Sequence, residues 1–171
     1  MRNPSYDRSL CPVARTVERV GDAWSLMILR DALHGLTRFD QFRKSLGIAP
    51  NILADRLGRL VEAGFLERRR YSVRPARDDY VITDVGRDFQ PVLYALMAFG
   101  NRNFAREGVA SQLVDAKTGA PAEPVLVDAK SGRRIDEASF KFAAGPAADE
   151  RVLARMAFAN RETAYRAFRA A

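Results

Sequence analysis

The stretch from Thr37 to Thr83, TRFDQFRKSLGIAPNILADRLGRLVEAGFLERRRYSVRPARDDYVIT, constrains this chain more than any other. Phe39, Phe42 and Leu46 recur at helical spacing, which predicts a short helix after a Thr37 cap, with Arg38, Gln41, Lys44 and Ser45 outward. Gly47 supplies a turn. A second helix follows over about 49–63, with Pro50 in its first turn. Ile52, Leu53, Leu57, Leu60 and Val61 form its core stripe, and Asn51, Asp55, Arg56, Arg59 and Glu62 occupy the other face. Gly64 closes it. ERRRY then reads as a strand, SVRPAR as a loop and DDYVIT as the return strand. Helix, turn, helix and hairpin in that order make a winged helix-turn-helix.

Charge gives this plan a partner. The chain carries a formal net charge of +7, and the excess is uneven. From Arg38 to Arg77 there are ten Lys/Arg against four Asp/Glu, a surplus of six. A basic patch concentrated on one motif suits a polyanion. The second helix of a helix-turn-helix can enter the major groove of duplex DNA and present its first residues to base edges. Those residues are Ala49, Pro50 and Asn51, followed by Asp55, Arg56 and Arg59 along the same face. Asn pairs with adenine and Arg with guanine in a bidentate manner. Arg38, Gln41 and Lys44 on the preceding helix are expected near phosphates. Ser72, Arg74 and Arg77 on the hairpin loop are expected at phosphates or in the minor groove, with Pro75 stiffening the loop. A winged helix that binds RNA or another protein is the competing reading, since fold does not set function.

The flanking segments supply a frame. Residues 1–9 have no period and are expected to fray. Leu10, Val13, Val17 and Val20 predict a helix over 11–20, with Pro12 in its first turn. Asp22 is placed to cap a core helix, AWSLMILRDALHG, in which Trp24 anchors and His34 sits at the C-terminal end. Asp84 is expected to cap a long helix over 85–106 with a kink at Pro91. Val92, Leu93, Leu96, Met97, Phe99 and Phe104 give that helix a wide apolar surface that needs cover, from the first helix or from a second chain. Beyond Gly108 the texture changes. VDAKTGAP and VDAKSGRR form a near-repeat, read as two turns of a small β-meander over 112–143, and a helix is predicted over 147–170. The fold class is mainly α within α+β: a winged helix-turn-helix domain over 10–107, followed by an extension over 108–171.

Several classes drop out. One cysteine cannot form an internal disulfide, and one histidine excludes most all-protein zinc sites. There is no nucleophile elbow and no phosphate-binding loop, so neither an enzyme, a cofactor nor a metal is expected. No apolar run is long enough to span a membrane, and no secretory signal opens the chain, so a cytoplasmic protein is expected.

The run from Cys11-Pro12-Val13 through the Trp24 helix, Arg38-Phe39, Gly47-Ile48, Leu57, Leu60, Gly64, the Arg-Tyr strand, Pro75 and Tyr80…Thr83…Gly86 resembles the HxlR-type winged-helix regulators, relatives of the MarR group. The likeness covers about 11–106. It implies a homodimeric transcription factor, commonly a repressor, that binds double-stranded operator DNA and responds to an electrophile, oxidant or other small-molecule effector. It also implies a dimer interface built from the first and long helices, with Leu10, Val13, Val17, Val92, Leu93, Leu96, Met97 and Phe99. Position 50 often carries a small hydroxyl residue in such proteins, and Pro50 departs from that. Some of these regulators sense oxidants or quinones through a cysteine at the place of Cys11. Here the thiol lies at a helix N-terminus, where unpaired backbone N–H groups favour the thiolate. Two-fold symmetry predicts a short inverted repeat with half-sites about 34–36 Å apart.

Overall fold

The computed structural model describes Tyr6, residues 8–74 and residues 76–158. Pro75, most of the expected frayed N-terminus and the end of the predicted 147–170 helix lie outside them. The chain divides into two compact units, one of Arg19–Pro124 and one of Met1–Glu18 with Val125–Ala171. In order, the elements are α1 (Pro12–Val20), α2 (Ala23–Leu33), α3 (Phe39–Leu46), α4 (Pro50–Glu62), β1 (Leu66–Val73), β2 (Ala76–Ile82), α5 (Asp84–Asp88) and α6 (Gln90–Phe104).

In the 19–124 unit, α2 is the central element. Asp22 caps it, accepting from the N–H groups of Trp24 and Ser25 at 3.1 Å each. His34 forms its C-terminal cap, and Gly35 follows at φ +94°, a left-handed conformation that glycine adopts without a Cβ penalty. Ile28 and Leu29 are fully buried against Phe42, Ile48, Leu53, Leu57, Leu60, Phe65, Leu66 and Phe89. Sealing such side chains from water is worth about 1.5–3 kcal/mol apiece. The three-residue link Gly47–Ala49 sets α3 against α4, with Gly47 left-handed and Ile48 turned into the core. Ile52, expected on the core stripe, is 37% exposed instead. The stripe runs through Leu53, Leu57 and Leu60, and Ile52 falls one position off it.

Two caps differ from expectation. Thr37 does not cap α3. Arg38 takes the N-cap position, and Gln41 Oε1 accepts from the N–H groups of Arg38 at 2.9 Å and Thr37 at 3.0 Å. The Thr37 hydroxyl is spent on Asp79 Oδ1 at 3.1 Å. Likewise Thr83, not Asp84, caps the next helix through Gly86 N–H at 3.1 Å. The long helix expected over 85–106 is two helices that meet at Phe89. Pro91 accounts for the break. It has no N–H to extend α5 and instead occupies the first turn of α6, where that N–H is not needed.

β1 and β2 pair antiparallel from Leu66↔Ile82 to Val73↔Ala76, with a bulge between Arg70 and Ser72. The hairpin is therefore longer than expected, and the six-residue loop contracts to its tip. Ser72 and Arg77 lie opposite one another inside the strands. Arg38 makes a single bridge with Asp79, and Tyr80 N–H donates to Thr37 O at 2.7 Å, so the start of α3 is tied to the wing.

The expected meander is reduced among the described residues to two isolated bridges, Val114↔Pro121 and Val127↔Arg134. Each closes a tight turn held by an aspartate. Asp115 Oδ1 accepts from Thr118 N–H at 2.8 Å, and Asp128 Oδ2 from Ser131 N–H at 3.0 Å. Among the described residues a further helix runs over 150–158, and Asp149 Oδ1 accepts from Val152 N–H at 2.8 Å at its start.

Gly86 allows α5 to approach the sheet closely. A Cβ there would lie 2.5 Å from Ile82 Cδ1 and nearer still to Phe65 O. Gly86→Ala is expected to destabilise the chain by about 1–3 kcal/mol through overpacking, read as a lower urea midpoint at unchanged slope. Gly100, which has open space around its Cα, serves as the control: Gly100→Ala should not lower the midpoint.

Candidate nucleic-acid interface

The start of α4 is open to solvent. Ala49, Pro50 and Asn51 are all solvent-facing. Ala49 has no side chain with which to cap, so the first-turn N–H groups of α4 remain open to an anion. Asn51 projects from that turn with its amide free of any hydrogen bond among the described residues.

The cations around this helix fall into two groups. Arg38, Arg56, Arg59, Arg68, Arg69 and Arg70 are engaged within the protein. Arg56 Nε donates to Asp22 Oδ1 at 2.9 Å and its Nη1 pairs with Asp55, leaving the side chain only 24% exposed. Arg59 Nε reaches Asp55 at 3.1 Å, one helical turn away. Arg68 and Arg70 share Asp78, Arg69 pairs with Glu67, and Arg38 lies 3.8 Å from Asp79 with its guanidinium 5.0 Å over the Tyr71 ring. Arg43, Lys44, Arg74 and Arg77 form the second group: they are exposed and make no ion pair among the described residues. Once Asp78 and Asp79 are counted, the ten cations face six acids, and the uncommitted charge sits on α3 and at the wing tip.

This sorting changes several expected roles. Arg56, placed by its spacing at the base edges, is bonded here to Asp22 at the N-terminus of α2 and to Asp55. Gln41 has committed its carbonyl to capping. Ser72 is half-buried in β1 rather than in a loop. Arg43 is a candidate that spacing missed, because it falls beside the inward Phe42. The Arg38–Tyr71 stack was not visible in sequence either, since the two residues are 33 positions apart. A polar recess of about 430 Å³ lies beside that stack, bounded by Arg38, Asp40, Tyr71, Arg77 and Tyr80.

Two carboxylates are held in their ionised form. Burial alone would raise the Asp22 carboxyl, but hydrogen bonds from Ser25 and Arg56 outweigh it and bring it below the ordinary value. Arg70 and then Arg68 lower Asp78 in the same way.

The apolar residues predicted for an interface divide by face. Val92, Leu96 and Phe99 form an exposed stripe along α6, whereas Leu93 and Met97 are half-buried. Leu10, Val13 and Val17 form a second exposed stripe on and before α1, with Val13 at 65%. In the other unit, the Cys11 thiol is lowered from its ordinary value. The Ala14 N–H at the start of α1 is the main cause, with further help from Val13 N–H and the Arg155 guanidinium. No helix among the described residues is long and apolar enough to cross a membrane.

These features define a winged helix-turn-helix protein of the DNA-binding type. Residues 19–108 match the HxlR-like helix-turn-helix family, and the chain belongs to it. It is 39% identical over 124 residues to the uncharacterised HTH-type transcriptional regulator Rv3095 of Mycobacterium tuberculosis, across 72% of this chain and 78% of that one. A solved Pseudomonas aeruginosa protein, the candidate transcription factor PA1374, is 50% identical with a TM-score of 0.62, over 85% of this chain and 99% of that one. The redox regulator HypR in its reduced form is 26% identical with a TM-score of 0.52, over 57% of this chain and 99% of that one. The chain is thus a transcriptional regulator of the helix-turn-helix type.

Because Asp22 titrates lower in the folded chain than in the unfolded one, its charge stabilises the fold fully above about pH 4, and that contribution vanishes as pH falls through the lowered value. Asn can still cap α2, so Asp22→Asn isolates the charge. The unfolding midpoints of Asp22→Asn and the unsubstituted chain should differ at pH 7 and converge below about pH 4. A pH-independent gap would show that the carboxylate charge is not the stabilising element.

Proposed function

We propose that this protein is a homodimeric repressor that binds an inverted-repeat operator through the N-terminus of α4 and the tip of the wing. The observation that carries this reading is the exposed start of α4, which has no side-chain cap, with Asn51 in its first turn and four cations on the neighbouring surfaces that make no ion pair among the described residues. Asn51 is assigned to a base edge, with the α4 N–H groups at a phosphate. Arg43 and Lys44 on α3 and Arg74 and Arg77 on the wing are assigned to the phosphate backbone. Arg38 lies beside them, fixed by Tyr71 and Asp79. Asp55 and Arg59 pair with each other on the flank of the helix, where a competing base or phosphate could exchange with them. Pro50 contributes a rigid start rather than a contact. Arg56 acts behind the surface by holding α4 to α2.

Dimerisation is assigned to the two exposed apolar stripes, Leu10–Val13–Val17 and Val92–Leu96–Phe99. Exposed apolar residues at successive turns of a helix are costly in water and are commonly covered by a partner. A homodimer also doubles the DNA contacts and sets the half-site spacing.

A second feature favours control through Cys11. Its lowered thiol pKa increases the thiolate fraction at neutral pH, and the thiolate is the reactive form. Alkylation of that sulfur by a quinone or another electrophile is proposed to weaken operator binding.

Selection from a random duplex pool should return a two-fold sequence. On that duplex, Asn51→Ala should cost about 1–3 kcal/mol and relax specificity at one position per half-site. Arg74→Ala and Arg77→Ala should weaken binding to all sequences and flatten the plot of log K against log salt by about 0.9 per lost phosphate contact. A salt slope unchanged in both arginine variants would remove the wing from the interface. Leu96→Glu should convert the dimer to a monomer in sedimentation velocity and abolish high-affinity binding. For the thiol, quinone treatment should release DNA from the unsubstituted protein but not from Cys11→Ser; equal release from both would remove Cys11 as the sensor.

A further inference from the structure

α2 and α6 diverge enough to leave a cavity of about 580 Å³, within the range of small-molecule sites, about 300–1,000 Å³. Its third wall is the segment 111–113, which lies beyond the 19–108 span that matches the family. That wall is anchored. Asn101 Nδ2 donates to Ser111 O at 2.9 Å, Ala122 N–H donates to Leu113 O at 2.8 Å, and Val114 bridges Pro121. The extension therefore adds a third wall to the groove between the two helices, which stays open to solvent on its remaining side.

The lining specifies a class of ligand. Leucines from both helices and Leu113 make it mainly apolar, and Met27 and Met97 supply adaptable surface. Its one charged side chain, Arg30, is already neutralised by the buried carboxylate of Asp31, through Nε at 2.9 Å and Nη2 at 2.7 Å. Among the described residues, Arg30 Nη1 has only the Met27 thioether, at 3.8 Å, as an acceptor. Tyr94 Oη accepts from Gln90 Nε2 at 2.6 Å, which leaves the phenol proton to donate elsewhere. The cavity thus offers spare donors from Arg30 and Tyr94 beside an internally paired charge, with His34 and Gln112 as further polar lining. We propose that it is an effector site for an uncharged, largely aromatic or alicyclic molecule bearing a carbonyl or phenolic oxygen. That oxygen accepts from Arg30 and Tyr94 while the apolar body lies between α2 and α6.

The proposal rests on the operator-binding reading for its consequence, because α2 carries the Asp22 cap that holds Arg56 of α4. A molecule wedged between α2 and α6 shifts α2 against the reading head. Binding to the cavity itself does not depend on that reading.

The probe is the uncharged naphthyl ketone prodan, added to the full chain. Saturable binding of one prodan per chain with blue-shifted emission is expected. Leu113→Trp, which fills the cavity from the extension, should abolish it while leaving ligand-free affinity for the selected duplex unchanged. Tyr94→Phe should weaken prodan binding by roughly two- to tenfold. Prodan should change duplex affinity by about fivefold or more. The proposal is overturned by non-saturable binding, by equal binding to Leu113→Trp, or by saturable binding that leaves duplex affinity unaltered. It is also overturned if prodan binds only after dilution to monomer, which would make a second copy of the chain the occupant. Saturable prodan binding that is lost in Leu113→Trp, together with failure of the duplex selection, would sink the operator reading and leave the ligand site standing.

Discussion

Asp22 accepts four hydrogen bonds, from Trp24 N–H, Ser25 N–H, the Ser25 hydroxyl and Arg56 Nε. The first three start α2. The fourth reaches across to α4 and sets the pitch of the helix that carries Asn51. One carboxylate therefore joins α2, which carries Ile28 and Leu29 of the core, to α4, whose first turn carries the exposed Asn51. Around that joint the core is ordinary hydrocarbon packing, in which Ile28 and Leu29 of α2 meet Leu53, Leu57 and Leu60 of α4. Packing of this kind tolerates sliding between similar apolar surfaces, whereas a charge-assisted hydrogen bond has a defined length and direction. The ion pair adds register to an interface that the hydrophobic effect holds together.

The same economy governs the wing. Three of its arginines, Arg68, Arg69 and Arg70, are paired with acids of the hairpin itself, and Asp78, with 12% of its side chain exposed, serves two of them. Surface pairs of this sort contribute little stability. Their consequence is a local neutralisation that confines free positive charge to α3 and the wing tip. A uniformly basic hairpin would attract any polyanion from any side. Charge restricted to the edges of α4 favours a polyanion that also inserts a groove around that helix.

α6 separates two environments along one helix. One face carries Val92 and Phe99 into solvent, the other turns Leu93 and Met97 toward α2 and the cavity, and Leu96 lies between the two, exposed yet also lining the cavity. The break at Phe89 makes this possible. An unbroken helix from Asp84 would carry the direction of α5 onward, and α5 is pinned to the sheet by Gly86 and by the Phe65–Phe89 edge-to-face contact at 5.8 Å. Freed from that direction, α6 leaves room beside α2, and residues 111–113 return to wall one side of the space.

Helical and strand periods were legible in the sequence because they depend on neighbours within a few residues. Phe39, Phe42 and Leu46, the Leu53–Leu57–Leu60 stripe, the Gly47 turn, the His34 cap and the paired strands all follow from local spacing and local backbone preference. Caps were less legible wherever two hydroxyl or carboxyl residues competed within one turn. Thr37 gave up its place to bond Asp79, 42 residues away. The interface was legible as a motif and a patch, but not as a set of side chains. Whether Arg56, Arg68 or Arg70 is available depends on Asp22 and Asp78, and spacing along a helix or strand says nothing about a partner on another element. The cavity lay beyond sequence altogether. It exists because α2, α6 and residues 111–113 fail to fill a shared volume, and an unfilled volume is a property of three elements together. Sequence by itself determined the helix, turn, helix and hairpin order and the family whose plan it follows, but not the break at Phe89 or the pairing after Gly108. Tertiary structure decided which charges remain free and where space is left, because long-range pairing and packing are settled only when distant segments meet.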